Sequence, residues 1–407
     1  LAFVLCKEII MTHVEWIPNR LFIPHNQYNH TTTANFIHTV ADSANPDKKR
    51  DIRINSQELR EDSDIIIPKP ENVYRILMVG DSFIFGGNVK PISDVVEEAL
   101  NKSFGSPDLR FEVINCGVPS YSPILHLARL KIQYLSFDAD AIIYIPDLTD
   151  VYDDTHRYKW LARYDDDGNL IRVKGSTRII RAKRRHKRQL NYLLVKYGFQ
   201  KQKTRNVRNF QFGAHPHIFD HAMERESELS RFTKDELAFS IGFIDKFLEI
   251  SIANNIHTAL AMYPHLPQII TEANYYQDPQ AIKRKYNRVF EKNVREVAKR
   301  KNITFKSFYG IVQEKVLSST SVNIHWDRSL FERKVHEFYP ENATSFESLY
   351  ELFREPAVTE NRLYRIGDMH FNDNGFRLIA NEFAGWVIQN SMESIGFNPT
   401  HQARATN

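Results

Sequence analysis

The sequence predicts a three-layer α/β/α sandwich built on a parallel sheet of about five strands, on three observations. Short apolar runs alternate with helix-patterned segments along the chain. The runs are continuously apolar rather than alternating, as strands covered on both faces require. Polar turns carrying Gly, Asp and Ser follow the runs, which is where an open parallel sheet collects its functional groups. Right-handed crossovers complete the expected topology.

Tyr74-Arg-Ile-Leu-Met-Val-Gly80 is the first expected strand, a buried run closed by glycine. Asp94–Leu100 follows as a helix, with Val95, Val96, Ala99 and Leu100 on its apolar face. Arg110–Asn115 is the second strand. The next helix runs from Pro123 to Tyr134, with proline in its first turn. Ala141–Ile145 is the third strand. Phe232–Ala253 and His257–Tyr263 form the next helix and the fourth strand. Gln280–Lys301 is a charged helix and Ile303–Phe305 a short fifth strand. Phe376–Gln389 closes the pattern, with Phe376, Ile379, Ala380, Phe383 and Val387 along one face.

The rest of the chain departs from this rhythm. Residues 1–17 form an apolar N-terminal segment. Residues 18–70, rich in Asn, His, Thr, Pro and charge, are expected to wrap the core as irregular structure. The main domain spans 71–395, with a basic insertion at about 155–235 that shows no clean strand and an irregular one at 317–362. A tail covers 396–407. Leu1–Met11 is read either as a buried helix or as the end of a membrane anchor, because eleven residues are too few to span a bilayer.

Composition narrows the function. The 407 residues are 42% apolar, which excludes a disordered chain. Net charge is only +4, yet Arg172–Arg208 holds 14 Lys or Arg and no acid. That stretch is a solvated face, a dock for acidic headgroups or a grip on an acidic polymer. No nucleic-acid module accompanies it. Two cysteines, Cys6 and Cys116, exclude a disulfide scaffold and offer no zinc spacing.

Four loops at strand ends carry candidate chemistry: Gly80-Asp81-Ser82-Phe83, Asn115-Cys116-Gly117-Val118-Pro119, Asp147-Leu148-Thr149-Asp150, and Gly367-Asp368-Met369-His370 before the last helix. A serine in a glycine turn beside a helix start is exposed and near backbone N–H groups that can hold an oxyanion. It becomes a nucleophile when a base takes its proton, and a carboxylate can orient that base. Each residue also has a structural alternative: Ser82 and Asp368 as helix caps, His370 as a packing residue and Gly117 as a turn glycine with positive φ. Asp147 and Asp150 read as loop carboxylates rather than metal ligands.

Together the loops resemble those of the GDSL/SGNH hydrolase family. The similar text covers roughly residues 54–154 and 364–388, including Arg75-Ile-Leu-Met-Val-Gly-Asp-Ser-Phe83 and Asp368-Met-His-Phe-Asn-Asp-Asn-Gly375. Ile54-Asn-Ser56 to Arg60 is similar to the lead-in of membrane-anchored members. The resemblance implies a flavodoxin-like sandwich with Ser82 as nucleophile, His370 as base and Asp368 as its orienter. It places Ser82 and Gly117 N–H groups in the oxyanion hole and requires no cofactor or metal. Thr149 stands where the family has an oxyanion-donating Asn, and Gly367 stands where many members carry the orienting Asp. The implied activity is a serine esterase acting through an acyl-enzyme on an ester or acetylated glycan. An O-acetyltransferase acting on an envelope glycan and a catalytically silent binding protein are the alternatives. The analogy also points to the cell envelope, by way of a membrane anchor, with the cytoplasm as the alternative.

Overall fold

A computed structural model describes residues 21–41, 49–87, 89–175, 233–264, 289–318, 371 and 373–398. Its centre is a five-stranded parallel sheet. The strands are β5 (Val73–Gly80), β6 (Arg110–Gly117), β7 (Ala141–Tyr144), β10 (His257–Met262) and β11 (Phe305–Ser307). They lie in the order β6-β5-β7-β10-β11, and every neighbouring pair is parallel. Counted along the chain, this is the 2-1-3-4-5 order of a flavodoxin-like sheet, which reverses direction between β5 and β7.

The continuous apolar runs are explained by burial on both faces. In β5, Leu77 and Val79 enter one core and Ile76 and Met78 the other, all four fully buried. Ile142 and Tyr144 of β7 alternate with Ala141 and Ile143 in the same way. Each such aliphatic side chain contributes about 1.5–3 kcal/mol by leaving water. One face is covered by α3 (Pro123–Ile132), α5 (Lys234–Ala253) and α6 (Val289–Arg300), the other by α2 (Ile92–Phe104), α7 (Tyr309–Ser318) and α8 (Asp373–Gln389). α5 begins with a complete capping box, in which Thr233 and Glu236 satisfy each other's backbone N–H groups. Its first residue is Lys234, two later than Phe232. The charged helix is described from Val289, and residues 280–288 lie outside the described residues.

Two expectations of irregular structure are corrected. Residues 18–70 contain two antiparallel hairpins: β1 (Phe22–His25) with β2 (Asn29–Thr32), and β3 (Phe36–Ala41) with β4 (Lys49–Ile54). β2 is hard to see in the sequence because its four buried residues, Asn-His-Thr-Thr, are all polar. Hydrogen bonds replace apolar packing there. Thr31 Oγ1 donates to Glu58 Oε2 (2.8 Å), Thr32 Oγ1 donates to the Glu58 carbonyl (2.6 Å), and His30 Nδ1 lies 2.9 Å from Asn29 Oδ1. The basic insertion also opens with a hairpin, β8 (Ala162–Tyr164) and β9 (Leu170–Val173). Its turn holds Asp167-Gly168, with Gly168 at φ 81°.

Residues 61–66 are tied into the main domain. Arg75 of β5 is fully buried and donates to Glu112 (2.5 Å), to the Phe137 carbonyl (2.6 Å) and to the Ile66 carbonyl (3.0 Å). Glu61 accepts from the Asn115 N–H at 2.6 Å, and burial pushes its carboxyl well above the usual range. No described helix is long and apolar enough to cross a membrane. Leu1–Met11, the basic stretch from residue 176 onward, residues 319–362 and the tail from 399 lie outside the described residues.

Candidate active site

β5 ends at Gly80, and the chain turns at once into the short helix α1 (Ser82–Phe85). Gly80 is required by crowding, since a Cβ there would lie 2.6 Å from Ile84 Cγ1. Asp81 caps the helix by accepting from the Phe83 N–H at 3.0 Å. Gly86, at φ 82°, ends it in the left-handed conformation. Phe83, Ile84 and Phe85 are buried, which leaves half-buried Ser82 as the helix residue facing outward. Ser82 Oγ donates to Asp81 Oδ2 at 3.0 Å.

The far end of α1 is fixed by Arg60. The Arg60 guanidinium donates to the Phe85 and Val89 carbonyls and sits over the Phe85 ring. These bonds satisfy a carbonyl that the helix end leaves open.

Gly117 closes β6 beneath this helix. Its backbone is extended, so the expected positive φ is not its reason. Close approach is: a Cβ would lie 2.2 Å from the Phe85 nitrogen and 2.6 Å from the Ile84 carbonyl carbon. The Gly117 N–H, expected in the oxyanion hole, donates to Asn115 Oδ1 at 3.0 Å. Asn115 Nδ2 in turn donates to the Ile84 carbonyl at 2.9 Å. Beyond Gly117 the loop turns at Ser120, whose φ of 64° is left-handed. The loop is held by His30 Nε2 at 2.9 Å from the Pro119 carbonyl and by the Tyr158 hydroxyl donating to the Ser120 carbonyl at 2.6 Å.

The third loop follows β7. Thr149 donates to Asp147 Oδ1 twice, from its backbone N–H and from its hydroxyl, each at 2.6 Å. The Thr149 hydroxyl proton thus points at a carboxylate in this structure. Asp150 Oδ2 accepts from the Asp147 N–H at 3.0 Å. Burial, with Asp147 and Asp154 nearby, raises the Asp150 carboxyl well above its ordinary range. Despite this crowding of acids, no group of three or more His, Cys, Asp or Glu among the described residues could hold a metal ion.

Tyr263, one residue past β10, was not singled out by sequence reasoning. Its buried hydroxyl donates to Asp81 Oδ1 at 2.8 Å and lies 3.5 Å from Asp147 Oδ2. Its ring stacks on Phe83 (4.1 Å, 28°) and meets Phe371 edge-on (6.2 Å). Phe371 is fully buried, 5.2 Å from Phe83 and perpendicular to it. Asp368 and His370 lie outside the described residues. The residues that follow Ser82 and His370 in sequence, Phe83 and Phe371, are thus packed together.

A turn of π-helix, Asp153–Tyr158, follows the third loop. Its Asp154 is fully buried and accepts from Ser122 Oγ (2.5 Å), Ser240 Oγ (2.6 Å) and the Ile124 N–H (3.2 Å). It thereby ties the start of α3 to α5. Burial pushes its carboxyl up to about 7, against the pull of those three donors. The folded protein keeps this proton above pH 4, where the unfolded chain has released it, so stability falls as pH rises from about 4 to about 7. The loss approaches roughly 4 kcal/mol at the upper end. Asp154→Asn keeps the shape and cannot ionise. Thermal melts between pH 5 and 7.5 are expected to show a falling Tm for wild type and a flatter line for the variant. Parallel lines would exclude Asp154 as the source.

Among solved structures, the chain is similar to a catalytic mutant of an acetylxylan esterase from Geobacillus stearothermophilus, at 11% identity and TM-score 0.38 over 80% of this chain and 95% of that one. It is similar to a second acetyl xylan esterase at 13% identity and TM-score 0.37, over 77% and 99%. A protein described as lipolytic, of the G-D-S-L family, from Desulfitobacterium hafniense matches at 14% identity and TM-score 0.29, over 58% and 77%. No protein-family model and no curated protein matches. In the flavodoxin-like sheet, Ser82 leaves the first core strand and Asp147–Asp150 the third, on the two sides of the point where the strand order reverses.

Proposed function

We propose that this protein is a serine esterase that removes acetyl groups from a carbohydrate through an acyl-enzyme on Ser82. The observation that carries the reading is the setting of Ser82. It is the outward-facing first residue of a capped helix at the carboxyl end of a central strand, with every other residue of that helix buried.

His370 removes the Ser82 proton as Oγ attacks the ester carbonyl, and then gives it to the leaving sugar oxygen. Water repeats the sequence in reverse to release the acid. Asp368 orients the His370 ring. The packing of Phe83 against Phe371 supports this pairing, since each is the immediate sequence neighbour of one partner. The Ser82 N–H at the start of α1 is one oxyanion donor. The Gly117 N–H, which donates to Asn115 Oδ1 in this structure, is the second donor in this reading, with the Thr149 hydroxyl, which donates to Asp147, as the weaker candidate.

Acetate release from an acetylated oligosaccharide tests the reading. A hydrolase releases acetate at a rate that added unacetylated glycan leaves unchanged. A transferase releases it slowly from an acetyl donor and forms new glycan ester when the acceptor is added. No turnover and no reaction of Ser82 with a fluorophosphonate, in folded protein, would make this a silent binding fold and sink the proposal.

A further inference from the structure

The geometry points to Tyr263 as a positioning residue that sets the reactivity of the nucleophile through Asp81. This rests on the reading of Ser82 as the nucleophile. Asp81 has two tasks in this structure: Oδ1 caps α1 at the Phe83 N–H, and Oδ2 accepts the Ser82 hydroxyl. A carboxylate that accepts the serine proton in the resting state competes with the base that must take it. The Tyr263 phenol donates to the capping oxygen at 2.8 Å. That bond draws charge toward Oδ1 and away from the oxygen that faces Ser82. It also fixes the carboxylate plane, so the serine hydroxyl stays near Asp81 without being held tightly.

The position of the ring makes this coupling specific. Tyr263 is carried by the fourth core strand, stacks on the residue after Ser82 and touches the residue after His370. Its oxygen also approaches Asp147 of the third loop. One side chain therefore registers three separate loops at the carboxyl edge of the sheet. Burial beside Asp81 and Asp147 raises the phenol well above its ordinary range, so it remains a donor at every working pH.

Tyr263→Phe removes the hydroxyl and keeps the ring between Phe83 and Phe371. Losing one charge-assisted hydrogen bond at this point is expected to lower kcat by about 10- to 100-fold with KM nearly unchanged. The second-order rate of Ser82 labelling by a fluorophosphonate should fall by a similar factor. If the effect passes through Asp81, adding Tyr263→Phe to Asp81→Asn should cost little more than Asp81→Asn alone. A labelled wild type whose kcat and labelling rate are unchanged in Tyr263→Phe would overturn this proposal and leave the esterase reading standing. Full additivity with Asp81→Asn would also overturn it. A folded wild type that never reacts at Ser82 would remove the esterase reading and this role with it.

Discussion

Replacing Ser82 by alanine is expected to lower kcat by about 10⁵–10⁶-fold and to leave the fold intact. The chemical loss is large because no other group of α1 faces outward: Phe83, Ile84 and Phe85 are buried behind it. The structural loss is small because the side chain is half-buried and its described hydrogen bond is to Asp81 Oδ2. Removing one such bond costs about 1 kcal/mol. The cap survives, since Asp81 Oδ1 still accepts from the Phe83 N–H. Intact-mass measurement after fluorophosphonate treatment should show one adduct on wild type and none on the variant, with superimposable circular dichroism. An adduct that persists in Ser82→Ala would move the nucleophile elsewhere.

The second large effect is expected at Gly117, whose N–H donates to Asn115 Oδ1 and whose bare Cα lies against α1. A methyl group at Gly117 would lie 2.2 Å from the Phe85 nitrogen and 2.6 Å from the Ile84 carbonyl carbon. Both are backbone atoms of α1, so no side-chain rotation relieves the clash. Either β6 or the helix must move. Asn115 resists both movements, because it accepts the Gly117 N–H and donates to the Ile84 carbonyl. Gly117→Ala should therefore displace Ser82 relative to its partners and lower kcat by about 10²-fold. Overpacking should also destabilise the protein by about 1–3 kcal/mol. Thermal melting and steady-state kinetics on the same preparation check both. An unchanged kcat would show that the helix is free to shift without consequence.

The contrast between these two residues marks what the sequence makes legible. Ser82 and its helix can be read because their causes are local: an apolar strand, a glycine, a capping acid and a helix start fall within a dozen positions. The parallel sheet is legible for the same reason, since burial on both faces writes itself as unbroken apolar runs. Gly117 reads in the sequence as an oxyanion donor or a turn glycine, but the crowding that requires it lies across space, in the helix that crosses above it. Tyr263 is nearly 200 residues from Asp81, and nothing near it in the chain announces the pairing. Asn115 likewise looks like the end of a strand until the Ile84 carbonyl is seen above it. Thr149 reads in the sequence as an oxyanion donor, and its hydrogen bond to Asp147 is visible only in the folded loop. The hairpins of the first 54 residues escape pattern reading because β2 is buried without a single apolar side chain.

The contacts made by residues 30–66 bear on where this folding unit begins. By strand pattern alone the unit would start at β5. Yet Ile66 supplies a carbonyl to the buried Arg75, Glu61 accepts the N–H of Asn115, Arg60 closes the end of the serine helix, and His30 reaches the Pro119 carbonyl. A chain cut just ahead of β5 would still contain all the candidate catalytic residues. It would also leave Arg75 short of one acceptor, and the Asn115 N–H and the Phe85, Val89 and Pro119 carbonyls without these partners. Residues 30–66 are thus bound into the folding unit, and the smallest autonomous piece of this protein has to include them.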